Sequence, residues 1–161
     1  MHATMKLLLC SAIALGLASA PTWADRQPPV HAAPTDGSHD FDFNLGTWHT
    51  HIRVLKQPLS GSTEWAEMRG TVRVNPIWGG KAQVEEIEAD GADGRFEGMT
   101  VFLYDPAAHQ WRQYFADSDE GRLETPSVGR FERNRGEFYS QELHEGRAVL
   151  LRGIWTVTSP D

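Results

Sequence analysis

Eight short segments with apolar and polar residues in alternation, set one after another between turn-forming residues, constrain this chain more than any other feature. They run Thr47 to Leu55, Glu64 to Val74, Ala82 to Ala89, Phe96 to Tyr104, Gln110 to Ala116, Val128 to Phe131, Glu137 to Leu143 and Ala148 to Val157. A period of two places successive side chains on opposite faces of a strand, so each segment reads as a half-buried β-strand. The intervening residues tolerate turn dihedrals: Asn75-Pro76 with Gly79-Gly80, Asp90-Gly91 with Asp93-Gly94, Asp105-Pro106, Asn134-Arg135-Gly136 and Glu145-Gly146. Such short connections join antiparallel neighbours, because parallel pairing needs a long crossover. No window after residue 24 carries a sustained 3.6-residue apolar stripe, which disfavours helical and mixed folds. The expectation is an all-β, antiparallel, up-and-down barrel of about eight strands, the number that closes a small barrel. Strict hairpin succession favours it over a Greek-key sandwich.

The N-terminus follows a different rule. Lys6, the apolar run Leu7 to Leu17 and small residues at Ala18-Ser19-Ala20 or Thr22-Trp23-Ala24 form the three-part pattern of an export signal. The apolar run is short for a bilayer span, so cleavage is expected and stable membrane insertion is not. Residues 1–24 read as signal peptide, 25–40 as a flexible leader rich in Pro, Ala, His and Asp, and 41–161 as the barrel domain, in a periplasmic or secreted protein. Cys10 is the sole cysteine and lies inside the signal. A mature chain would therefore hold no disulfide, thiolate metal site or cysteine nucleophile. The formal charge is −7, and Lys6 is the only charged residue before Asp25, so cleavage after Ala24 leaves −7 − 1 = −8. Such a charge repels nucleic acid and anionic lipid and is silent on small neutral ligands.

Phe43-Asn44-Leu45-Gly46-Thr47-Trp48 carries a Gly-x-Trp at the first strand, which resembles the opening signature of lipocalins and other calycins. Further motifs are Gly61-Ser62-Thr63-Glu64-Trp65, Asn75-Pro76-Ile77-Trp78-Gly79-Gly80 and Leu103-Tyr104-Asp105-Pro106 with Trp111. They continue with Ala116-Asp117-Ser118 and with Gly129-Arg130-Phe131-Glu132 leading to Gly136-Glu137-Phe138-Tyr139. Together these resemble an uncharacterised bacterial family of calycin-like domains over Phe41 to Thr156. The resemblance implies a lipocalin-like barrel with Trp48 at its base and implies no activity. The related haem-binding nitrobindins continue the Gly-x-Trp with two alternate glycines where this chain has Thr50 and Ile52, so haem is not expected. The family continues beyond this point with another Trp-containing hairpin. Either the sequence is truncated at its C-terminus, or Ala148 to Val157 pairs with the first strand.

His49 and His51 share one strand face, and Trp48, Thr50, Ile52 and Val54 share the other. A His-x-His pair supplies two metal ligands if Glu85, Glu86 or Glu88 supplies a third; with Trp48 inward, both histidines face solvent. The glutamates at 85, 86 and 88 lie on both faces of one strand, so at least one can enter the cavity as a raised-pKa carboxylate or as half of an ion pair with Arg69, Arg73 or Arg152. The resemblance to lipocalins also implies that Arg152 stacks on Trp48. Tyr114, Asp117 and Arg130 make a candidate polar set among apolar walls. The candidate ligand-binding residues are thus Trp48, Glu86, Tyr114, Asp117 and Arg130, with His49 and His51 for metal. Trp48, Trp65, Trp78, Trp111 and Trp155 are candidates for aromatic walls or end plugs. Three functions stay open: a carrier of a small, partly apolar ligand, a barrel enzyme using a cavity carboxylate or histidine with or without a metal, and an envelope interaction module with a filled core. Cofactor identity and oligomeric state are not legible.

Overall fold

The computed structural model describes residues 36–158. Eight antiparallel strands follow in chain order: β1 (Gly46–Leu55), β2 (Trp65–Ile77), β3 (Ala82–Gly91), β4 (Gly94–Asp105), β5 (Gln110–Asp117), β6 (Ser127–Glu132), β7 (Arg135–His144) and β8 (Arg147–Thr156). Each pairs with the next in one curled up-and-down sheet, a half-barrel of the lipocalin-like kind. The strands stand where the alternation predicts them, with ends displaced by a few residues. The largest difference is β2, which runs on through Asn75-Pro76 where a turn is expected. Beyond the pair Gly46↔Val74, β2 has no β1 partner, so the missing N–H of Pro76 breaks no ladder there.

The register assigns the faces. Along β1 to β4, Trp48, Val72, Ile87 and Gly98 are cross-strand partners, and so are Val74, Glu85 and Thr100. Val72, Val74, Gln83, Glu85, Ala89, Thr100, Phe102, Trp111, Phe138 and Ser140 are all buried and all belong to this concave set. His49, His51, Arg73, Glu86 and Glu88 belong to the convex set.

One end of the curl is filled by the chain's own approach to β1. Phe41 is fully buried, and its ring meets those of Phe102, Phe131, Trp111, Trp155, Phe138 and Phe43 at centroid distances of 4.7 to 6.0 Å. A short 3₁₀ turn, Asp42–Asn44, carries the chain from this plug into β1. Its backbone is tied down by side chains of the sheet: Gln83 Nε2 donates to the Phe41 carbonyl (3.1 Å) and Trp48 Nε1 to that of Asn44 (2.8 Å). Trp111 Nε1 reaches the Gly37 carbonyl (2.8 Å), and Tyr104 donates to that of Asp36. The leader therefore ends before residue 40: residues 36–40 are bonded to the sheet, because the indole and phenol of β5 and β4 need acceptors and the approaching backbone supplies them.

Two expectations about the tryptophans and the barrel's closure are corrected. Trp65 and Trp78 are exposed, so neither is a wall or plug; Trp111 and Trp155 are the plug indoles. Among the described residues β1 pairs only with β2 and β8 only with β7, so the last strand does not close onto the first. The Phe41 cluster sits inside the curl and sets its radius, leaving the two edge strands apart.

Candidate functional site

Above the aromatic plug the concave face changes character. Trp111, Gly129, Phe138 and Gly153 form one cross-strand row at plug level. The adjacent row is polar: Gln113 faces Ser127, and Ser140, in line with them, faces Leu151. Thr100 and Glu85 lie diagonally beside it. Interior positions of a curled sheet are ordinarily apolar, so this row requires a reason.

The row borders a cleft of about 400 Å³, lined among others by Thr100, Gln113, Phe115, Ser127, Phe138 and Ser140, with Leu151 and Arg152 at its β8 side. The cleft exists because β5 and β6 stay together for only three pairs, Trp111↔Gly129 to Gln113↔Ser127, and then part. After the Asp117 turn the chain comes back alongside β5, where Glu124 N donates to the Phe115 carbonyl (2.8 Å). A volume in this range suits a small organic molecule.

Glu85 is the buried acid of this face, with 7 % of its surface exposed. Its Oε1 accepts from Thr100 Oγ1 at 2.9 Å and its Oε2 from Asn44 Nδ2 at 3.4 Å. Burial pushes its carboxyl above the ordinary glutamate range, against the downward pull of those two hydrogen bonds. Gln113 is held from across the curl, since Trp155 Nε1 on β8 donates to its Oε1 (3.4 Å). Among the described residues the buried Nε2 of Gln113 and Oε1 of Gln83 have no partner.

No family model, curated protein or solved structure matches this chain. The site must therefore be read from its own geometry.

Of the residues expected to line a cavity, Trp48 belongs to the concave set and is 40 % exposed, and Asp117 is a turn former whose Oδ1 accepts from Glu120 N (2.7 Å) and which borders, with Glu86, a groove open on the convex side. Glu86, Tyr114 and Arg130 face away from the interior of the curl. Each is one residue out of step with the concave set, and the pleat turns it outward. Glu86 is exposed and meets Arg73 at 3.5 Å; Tyr114 faces Val101; Arg130 is opposite Glu137 and reaches Glu132 at 3.4 Å. Arg152 is opposite Tyr139 in the convex set whereas Trp48 is concave, and among the described residues the guanidinium that stands over an indole is that of Arg53, on Trp65 at 5.1 Å. His49 and His51 share the convex face as expected. His51 engages Glu67 at 3.2 Å, and no group of three metal-binding side chains forms among the described residues.

The alternation of β5 puts Trp111, Gln113 and Phe115 on one face and Arg112 and Tyr114 on the other, and the concave face is the first of these. Gln113, Ser127 and Ser140 went unremarked. Their signal was present: each interrupts an inward alternation, Trp111-x-Gln113-x-Phe115 and Phe138-x-Ser140 among them.

A larger groove of about 660 Å³ lies open on the convex side, between Glu86, Glu88, Met99, Ala116 and Leu123. Its glutamates already face Arg73 and Arg95, with contacts of 3.2 to 3.5 Å. Solvated, compensated charges give a ligand little to gain, so the smaller concave cleft is the better site.

Proposed function

We propose that the protein binds a small, partly apolar molecule in the concave face of its sheet, and that it does so after export. The polar row Gln113, Ser127 and Ser140, set between the aromatic plug and the open end of the curl, carries this reading. Phe115, Phe138 and Leu151 offer the apolar body of a ligand a wall, and the row fixes its polar end. Export rests on the charged, apolar and small-residue succession of residues 1–24, which lie outside the described residues. Among the described residues no helix is long and apolar enough to cross a membrane.

Proton-transfer catalysis by a cavity carboxylate is the weaker alternative. Both oxygens of Glu85 are engaged, by Thr100 and Asn44, and only a small part of the residue is exposed. An interaction module with a filled core accounts for the plug end and leaves the cleft without a role.

Native mass spectrometry of the protein recovered from a periplasmic extract tests the reading, with the denatured mass recorded beside it. A mass excess present only in the native spectrum, and reduced in Ser140→Leu, is the expected result. Equal native and denatured masses, unchanged after incubation with a panel of small amides, alcohols and acids, would overturn it.

A further inference from the structure

We infer that the cleft selects a ligand whose polar end is a neutral group carrying a hydrogen-bond acceptor and a donor side by side, of the carboxamide or lactam class. This deepens the binding reading above and rests on it.

Two side chains set the requirement. The Trp155 indole offers only an N–H, so the atom of Gln113 facing it at 3.4 Å is the carbonyl oxygen, and the amide NH₂ is turned away from it. That Nε2 is buried with no partner among the described residues. A buried donor left unmatched is costly, and an arriving acceptor relieves that cost. Thr100 presents the opposite polarity. Its hydroxyl spends its one proton on Glu85 Oε1 at 2.9 Å, so what remains is a pair of acceptor sites. An ionised Glu85 can only accept, so Thr100 donates to it; a neutral Glu85 would turn its own proton toward Thr100 and free the hydroxyl hydrogen, so the polarity of Thr100 belongs to the ionised state.

Thr100 and Gln113 both line the cleft and are diagonal neighbours, since Thr100 is opposite Phe115 and Gln113 opposite Phe102. Diagonal partners on antiparallel strands stand about 7 Å apart at the backbone, within reach of long side chains, so both groups can face one ligand head group. A planar carboxamide would accept from Gln113 and donate to Thr100. A carboxylate has no donor for Thr100, and its charge would face an oxygen backed by Glu85, with Glu142 also on the cleft wall. Arg152, which borders the cleft from the edge strand β8, lies opposite Tyr139, where Glu137 already feels its charge. An ammonium has donors but nothing for Gln113 Nε2.

Three probes of one shape test the inference on the purified full chain: hydrocinnamamide, hydrocinnamate and phenylpropylamine. Binding is followed by tryptophan fluorescence and by the Gln113 side-chain NH₂ signals in nitrogen-15 spectra. The amide should bind about tenfold or more tightly than either ion, a gap of about 1.4 kcal/mol. Thr100→Val and Gln113→Leu should each bring the three probes to within about threefold of one another, and Thr100→Ser should restore the preference. Equal or tighter binding of the acid or the amine would overturn the head-group assignment and leave the binding reading standing. Failure of all three to move either signal, up to their solubility limits, would overturn both.

Discussion

Glu85 is an acid that the fold neither exposes nor pairs with a cation, and its energetic consequence has a definite sign. Burial raises its carboxyl above the ordinary range, so the native protein holds that proton more tightly than the unfolded chain does. The stability linked to it is full below the unfolded value, about pH 4.3, and is lost as pH rises through the folded value. Glu85→Gln removes the titration and keeps an oxygen for Thr100. Urea unfolding at about pH 4 and pH 8 should therefore show the difference between variant and wild type moving in the variant's favour as pH rises. A difference constant across that range would contradict the assignment. Phe41 is the other residue on which much depends. Its side chain touches six aromatic rings at the base of the curl. Phe41→Ala should cost about 3–5 kcal/mol in the same unfolding experiment.

At the scale of elements, the short β5–β6 ladder makes the cleft, and the β6–β7 ladder beside it depends on close backbone approach. A Cβ at Gly129 would stand 1.9 Å from the Glu137 carbonyl oxygen. Gly129→Ala should therefore push the strands apart and lower stability by about 1–3 kcal/mol or more, with loss of protection at the Phe138 amide in hydrogen exchange. The strands themselves were legible in the sequence because alternation and turn residues are local properties. Which face points inward was not, and β3 shows why. Ala82 and Val84 are apolar on one side, Ile87 and Ala89 on the other, so the alternation changes sides midway and Glu85 and Glu86 look equivalent. Only the pairing with β2 and β4 decides between them, and that is a long-range property. The part of Phe41 and its approach in the plug was not legible for a related reason: residues 36–40 have no period of their own and are held by indole and phenol donors on β5 and β4.

At the largest scale the described residues form one sheet curled around its own approach segment, with β1 and β8 each paired on one side. Leu143 and Leu150 at that edge are 76 % and 67 % exposed. An apolar edge strand is a template for intermolecular pairing, so light scattering at rising protein concentration should show association. Leu150→Lys should slow it, and an unchanged rate would argue that the edge is covered in solution. The central claim is that the polar row over the plug is where a ligand sits. The most direct measurement is a map of backbone amide shifts on adding hydrocinnamamide. The account predicts changes concentrated at Thr100, Gln113, Ser127 and Ser140; changes at Glu86, Met99 and Ala116 on the convex groove instead would contradict it.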